Sequence, residues 1–208
     1  MRQLIMEDFP KIRSPFVREH IDGRYVVTPQ VEPGMEWVFE SDDVVCVEKI
    51  DGTNVSIGVD RTGMVTAIRN RTNVIDCHAM ARGPYIEGVR LAWARGRVPF
   101  ISGQHFGELM GPKIQGNFLQ LQTCEWFPFA YMRKSYYYKS WGKYEKDFGT
   151  ISAWFRDDIF SLMAKVYLPG NPTVQPEGVI FFHTKTGRMA KLRLDMFDWW
   201  KGKQHKEE

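Results

Sequence analysis

Val47-Glu48-Lys49-Ile50-Asp51-Gly52-Thr53-Asn54 places a lysine at the end of an apolar strand and directly before a glycine turn. The run Val44 to Val47 reads as a buried strand, and Asp51-Gly52 is a strong turn signal. Lys49 therefore stands where a rigid element hands over to a loop, a place where a reactive group is both held and exposed. Lysines lie outside in most proteins, and a lysine before a turn is ordinarily a solvated charge. Whether Lys49 is a nucleophile depends on what the rest of the chain supplies to it.

Working outward, short β-branched or aromatic runs bounded by turn residues predict strands at Val44 to Lys49, Val55 to Asp60, Val65 to Asn70, Phe100 to Leu109, Gln122 to Phe129, Gly178 to His183 and Arg188 to Leu194. Arg61-Thr62-Gly63 closes a hairpin between the second and third of them. Helices are fewer. Ile151, Trp154, Phe155, Ile159, Leu162, Met163 and Val166 recur at helical spacing, with Thr150 or Ser152 as N-cap and Leu168-Pro169-Gly170 as the stop. A second helix covers Tyr85 to Ala94, despite the ~1 kcal/mol that Gly88 costs a helix interior. Strands with interspersed helices predict an α+β domain rich in antiparallel sheet.

The 208 residues (24.3 kDa) fit one domain, and no repeat, low-complexity linker or Pro/Gly-rich hinge divides them. Hydrophobic content of 43% and charged content of 25% are those of a soluble globular protein, and no apolar run approaches the ~20 residues that span a bilayer. Met1 to Pro10 carries Glu7 and Asp8 and lacks the apolar core of an export signal. Cys46, Cys77 and Cys124 are odd in number and form no Cys-x-x-Cys pair, as expected of reduced thiols in a cytoplasm. His78, His105 and His183 have no metal-ligand spacing. Net charge is +3 and the pI 8.7, in keeping with an anionic partner.

Further segments follow Lys49 in order: Ala67-Ile68-Arg69-Asn70-Arg71-Thr72, Phe106-Gly107-Glu108-Leu109, Trp126-Phe127-Pro128-Phe129, Pro176-Glu177-Gly178-Val179-Ile180 and Met189-Ala190-Lys191-Leu192-Arg193. Taken together, they resemble the successive motifs of the covalent nucleotidyltransferases, the superfamily of ATP-dependent DNA ligases, RNA ligases and mRNA capping enzymes. The Glu-Lys-x-Asp-Gly-Thr-Asn form is most similar to RNA ligases, particularly small phage-type enzymes, and the resemblance runs from about residue 40 to residue 200. Each segment is weak alone; six in the same order are specific. The fourteen residues after Leu194 are too few for the oligonucleotide-binding barrel or helical C-terminal domain of larger relatives, so the resemblance implies a single nucleotidyltransferase domain over residues 1–208, with a short N-terminal extension.

The resemblance implies that Lys49 attacks the α-phosphorus of ATP, expels pyrophosphate and holds AMP as a phosphoramidate. That amine must be neutral, and from an ordinary pKa near 10.4 neutrality at pH 7 costs about 4 to 5 kcal/mol. Cations nearby lower that cost. Lys191 and Arg193 alternate with Leu192 on a strand, so both point to one face, where they can also neutralise the triphosphate. The family commonly has two lysines here; Arg193 keeps the charge as a planar donor that cannot lose its proton. Glu177 is the implied ligand of Mg²⁺ or Mn²⁺, ions suited to hard oxygens; without the neighbouring motifs it reads as an edge-strand acid in a surface salt bridge. Glu108 would contact the ribose or assist the metal's shell, and Asn54 would serve the later steps of joining. Arg69 or Arg71, which share a face if the strand continues, would touch a phosphate. Phe129, or Phe127 two residues before it on the same strand face, would stack on adenine, and both serve equally as core aromatics.

Tyr131 to Lys146 interleaves five cations with six aromatics. Cations bind phosphates and aromatic faces stack on unpaired bases, so this segment suits single-stranded RNA; equally, its rings cover the core while its lysines face water. The function implied is an ATP-dependent RNA ligase that passes AMP from Lys49 to a 5′-phosphate end, from which a 3′-hydroxyl displaces it. The partners implied are RNA with 5′-phosphate and 3′-hydroxyl ends, with no membrane and with an accessory protein or domain in trans left open; the location is cytoplasmic, in a host cell if phage-encoded. The alternatives are a module of the same fold that binds RNA ends or nucleotides without joining them, a DNA nick ligase and a capping-type guanylyltransferase.

Overall fold

The computed structural model describes residues 5–76, 83–171 and 173–202, so Cys77 and His78 lie outside the described residues. Along the chain come β1 (Phe16–Ile21), β2 (Arg24–Val31), α1 (Trp37–Glu40), β3 (Val44–Lys49), β4 (Thr53–Val59), β5 (Val65–Asn70), α2 (Gly83–Ala94), β6 (Gly103–Met110), β7 (Glu125–Pro128), α3 (Phe129–Ser135), α4 (Phe148–Asp157), α5 (Leu162–Tyr167), β8 (Gly178–His183) and β9 (Met189–Arg193), which runs into a 3₁₀ turn, Leu194–Met196. This is the α+β architecture expected, with antiparallel sheets and few helices. Among the described residues, no helix is long and apolar enough to cross a membrane.

The chain forms two compact units. One takes the residues up to Pro10 and Asp51–Ser135; the other takes Lys11–Ile50 and everything from Tyr136 onward. The chain thus passes from one unit to the other between Ile50 and Asp51, one residue after Lys49.

In the first unit, β5-β4-β6-β7 make a four-stranded antiparallel sheet. Its buried face carries Val55, Ile57, Val59, Ile68, Leu109 and Trp126, on which α2 lays Val89 and Ala92. Gly88 belongs inside that helix because a Cβ there would come within 2.2 Å of Leu109 Cδ1, so close packing outweighs the propensity cost. The β4–β5 hairpin closes where expected: Asp60 Oδ1 accepts from the backbone N–H of Thr62 and Met64, and Gly63 supplies the positive φ of +83°. The strand predicted as Gln122 to Phe129 is shorter. Pro128 ends β7 because it has no N–H, and as an edge strand β7 tolerates that. Phe129 then starts α3.

In the second unit, β3-β8-β9 form a three-stranded antiparallel sheet whose buried face, with Cys46, Val179, Phe181, Ala190 and Leu192, meets Ile151 and Phe155 of α4 and Phe197. The β1–β2 hairpin was not anticipated, although its signal is in the chain: Asp22-Gly23 forms a two-residue turn with φ of +50° and +80°, as a primed hairpin turn requires. The helix predicted from Ile151 through Val166 is two helices. Asp147, rather than Thr150 or Ser152, caps α4 by accepting from Thr150 N, and Ser161 caps α5 by accepting from Ala164 N. A serine that bonds the backbone three residues on starts a new helix more readily than it continues an old one.

Gly178 lies in the central strand of this sheet, where a Cβ would meet Leu192 O at 2.2 Å and Arg193 Cα at 2.6 Å. Neither backbone atom can move without opening the β8–β9 pair. Gly178→Ala is expected to destabilise the protein by about 2 to 3 kcal/mol, seen as a lower urea midpoint at unchanged slope; an unaltered midpoint would show that the sheet yields freely there.

Candidate active site

Antiparallel register sets Lys49 of β3 opposite Gly178 of β8, and Gly178 opposite Arg193 of β9. Directly paired residues put their side chains on one face of a sheet, and the residue between the two cations has no side chain. Glu177, one residue before Gly178, fills the site: Lys49 Nζ donates to its Oε2 at 2.5 Å, and Arg193 Nη1 lies 3.9 Å from its Oε1. Arg193 Nε also donates to Asp195 Oδ1 at 3.0 Å. The Lys49 side chain keeps 20% of its exposure against 6% for Glu177 and for Arg193, so the lysine is the member open to solvent. Lys191, two residues before Arg193, is half-buried on the same face, while Ala190 and Leu192 point to the core.

Sequence reading placed cations around Lys49 and gave Glu177 to a metal. The structure gives Lys49 a carboxylate partner. An ammonium that donates to a carboxylate has no lone pair to offer phosphorus, so attack requires this pair to open and a proton to leave Nζ. Glu177 also fits the implied ion. Mg²⁺ is commonly held by one or two carboxylates with phosphates and waters, and among the described residues no group of three His, Cys, Asp or Glu offers an all-protein cage.

Glu48, next to Lys49 in the motif, has a structural role that the motif alone does not reveal. Only 3% exposed, it points away from Lys49 into the core, where its carboxylate accepts from Ser161 Oγ at 2.5 Å and from Met163 N at 2.9 Å. Its own N–H donates to Tyr136 O, and Tyr138 N donates to Cys46 O. The strand that presents Lys49 is thus bonded to β8 on one side and to the Tyr136–Tyr138 segment on the other, with Glu48 fastening its end to the start of α5. A charged residue in an otherwise apolar strand was the available signal.

The remaining candidates lie in the first unit. Asn54 faces Glu108 across the β4–β6 pair. The glycine of Asp51-Gly52 is required by that same strand, since a Cβ would meet Leu109 O at 2.5 Å and Glu108 Cγ at 2.7 Å. Arg69 pairs with Asp8 and donates to the carbonyls of Asn70 and Arg71. Arg71 does not continue the strand, because Asn70 Oδ1 accepts from the N–H of Thr72 and Asn73 and turns the chain back, bringing Val74 opposite Arg69. Phe127 and Phe129 do not share a strand face: Phe127 is fully buried, with the Arg97 guanidinium 5.0 Å from its ring centroid, whereas Phe129 is half-buried on α3, 5.0 Å from Phe9. Of the tyrosine-rich stretch, Tyr136 and Tyr138 are core residues, and the Tyr138 hydroxyl donates to Phe160 O. These two rings cover a core and are not available to bases. His183 lies 3.4 Å from Ser41 Oγ, and His105 2.6 Å from Ile101 O. Cys46 and Cys124 are buried free thiols.

No family model and no curated protein matches the chain. Solved structures do. A lysine-to-methionine variant of an RNA ligase from Naegleria gruberi, with AMP and Mn, superposes with a TM-score of 0.54 at 16% identity; a lysine-to-alanine variant of the same ligase, with ATP and Mn, gives 0.53 at 15%. In both, the likeness covers 91% of this chain and 58% of the other, so the chain spans little more than half the length of those ligases. The likeness establishes a fold: that of the nucleotidyltransferase-type RNA ligases.

Burial pushes the Glu48 carboxyl up from 4.5 to about 7, against the hydrogen bonds of Ser161, Met163 and Leu162 and the charge of Lys165, which lower it. Because the folded value lies above the unfolded one, the stability this group contributes is fully present below pH 4.5 and is lost as pH rises through 7, a change of about 3 kcal/mol. Glu48→Gln keeps an acceptor for Met163 N–H and a donor toward Ser161. Urea unfolding across pH 4 to 8 should show wild type losing about 3 kcal/mol relative to the variant; parallel profiles would mean that Glu48 does not titrate in that range.

Proposed function

We propose that this chain is the catalytic part of an ATP-dependent RNA ligase of the small, phage-like kind, and that Lys49 is its adenylylated nucleophile. The observation that carries the reading is the row Lys49–Gly178–Arg193 with Glu177 beside it, set in the fold of nucleotidyltransferase-type RNA ligases. A lysine that is partly exposed yet fixed at the end of a bonded strand is the arrangement that nucleophilic catalysis by an amine needs.

In the first step Lys49 Nζ, which is partly exposed, gives up its proton to solvent water and forms a bond to the α-phosphorus of ATP, while the bond from that phosphorus to pyrophosphate breaks. Glu177 releases Nζ for this and is the residue to hold the ion. A divalent ion, when bound, neutralises charge on the phosphates. Arg193, held by Asp195, and Lys191 offer fixed positive charge to the phosphoryl oxygens, which needs no reorganisation as the reaction proceeds. The AMP then passes to the 5′-phosphate of an RNA end, again releasing the lysine, and a 3′-hydroxyl displaces AMP to seal the strand. The nucleotide and phosphate contacts that family resemblance implies for Asn54, Arg69, Arg71, Glu108 and Phe129 belong to the same proposal.

Incubation with α-labelled ATP and Mg²⁺ should leave label covalently on the protein, Lys49→Ala should take up none, and Glu177→Ala should slow uptake by about 10² or more. Wild type should then join 5′-phosphorylated RNA to a 3′-hydroxyl acceptor. Label retained by Lys49→Ala would remove the lysine from the chemistry, and labelling without joining would leave a nucleotide-holding module.

A further inference from the structure

A cavity of about 260 Å³ opens in the second unit beside Lys191 and Arg193. Its other wall is the stretch Lys11 to Arg18, which the motif pattern does not reach. This stretch is fixed to the sheet: Lys191 N donates to Arg13 O at 2.9 Å, and Arg13 makes a single parallel bridge to Ala190 at the edge of β9. Five cations line the cavity, Lys11, Arg13, Arg18, Lys191 and Arg193, against one carboxylate, Glu32, which pairs with Arg13. Ser14 adds a hydroxyl, while Ile12, Phe16, Val17 and Met196 supply apolar wall.

Arg13 is paired with Glu32 and Arg193 with Asp195, so the lining is basic but partly compensated, and a concave basic site concentrates anions. Arg193 reaches both ways: it lines the cavity and stands 3.9 Å from Glu177, the partner of Lys49. The space is ample for phosphate groups, and it lies just under the ~300 Å³ at which sites for drug-sized ligands begin.

We propose that this cavity is a phosphate-binding site, built by the N-terminal stretch Lys11–Arg18 onto the edge of β9, and that it takes either a polyphosphate or the phosphorylated end of an RNA strand. The cation cluster itself is independent of the ligase reading; only the choice of these two ligand sources rests on it. Arg18 and Lys11 are positioned to hold phosphoryl oxygens, Arg18 with its guanidinium steadied over the Tyr25 ring at 5.4 Å.

The test uses the full chain carrying Lys49→Ala, which cannot form the lysyl adduct, so binding at the cavity is read apart from adenylylation. Titration with inorganic pyrophosphate, with 5′-phosphorylated oligoribonucleotide and with its 5′-hydroxyl counterpart is compared in this background and after Lys11→Glu or Arg18→Gln. Lys11 is exposed, so Lys11→Glu does not disturb the core if Arg18→Gln does. Each added substitution is expected to weaken the true ligand by about tenfold or more, and at ten times its Kd that ligand should raise the melting temperature of the Lys49→Ala protein by about 3 °C. Loss confined to pyrophosphate marks a polyphosphate site; loss confined to the 5′-phosphorylated oligonucleotide marks an RNA-end site. Equal binding of all three probes with and without the cavity substitutions, or no binding of any, overturns the proposal. Failure of labelling at Lys49 in the wild type, with pyrophosphate binding at the cavity intact, would overturn the ligase reading and leave the site standing.

Discussion

The missing side chain of Gly178 is the constraint on which the arrangement around Lys49 depends. A central strand can bring two flanking strands to its own sides at a single residue, and the side chains of all three then crowd one face. Here the middle residue contributes none, so β9 approaches β8 closely and the lysine and arginine on either side reach a common carboxylate. Lys49, Glu177, Arg193 and Asp195 alternate in sign along a chain of contacts. A buried charge is costly unless its neighbours are of opposite sign and bonded to it, and this alternation lets two arginine-linked acids and a partly exposed lysine share one site. An arginine suits the inner position because its fork faces two acids at once, as a single ammonium on a flexible stem does less well.

Glu48 completes this from beneath. Successive residues on a strand point to opposite faces, so Lys49, paired with Glu177 on the open face, and Glu48, bonded in the core, are neighbours. Ser161 connects them to the helices: its hydroxyl donates to Glu48 and accepts from Ala164 N, so one side chain both caps α5 and fixes the strand end. The break between α4 and α5 is therefore a positioning device as well as a turn.

Much of this was legible in the chain. β3, β5 and β8 fall where β-branched and aromatic runs place them, and the Asp-Gly turn after Lys49 and the Arg61-Thr62-Gly63 hairpin carry unambiguous turn chemistry. The β1–β2 hairpin was missed because its strands alternate with charged residues and hold Pro29, although Asp22-Gly23 marked it. Other features are tertiary and leave no local trace. Helical periodicity runs through Ser161 without interruption, and its bond to Glu48, 113 residues away, which fixes the serine that caps the new helix, leaves no trace in that periodicity. Likewise, the family resemblance implies a metal ligand at Glu177 and local sequence a surface acid, while its partnership with Lys49 exists only through the pairing of β3 with β8.

That pairing joins positions roughly 130 residues apart. At 5 to 20 residues per second, synthesis takes on the order of 10 s to pass from one to the other. Throughout that interval β3 emerges as an apolar segment without the strand it pairs with, and Glu48 without Ser161. The second unit, whose core joins Phe16 and Val27 to Phe181 and Phe197, cannot close on a partial chain. The surroundings of Lys49 are thus assembled late, by strands made roughly 130 residues after it.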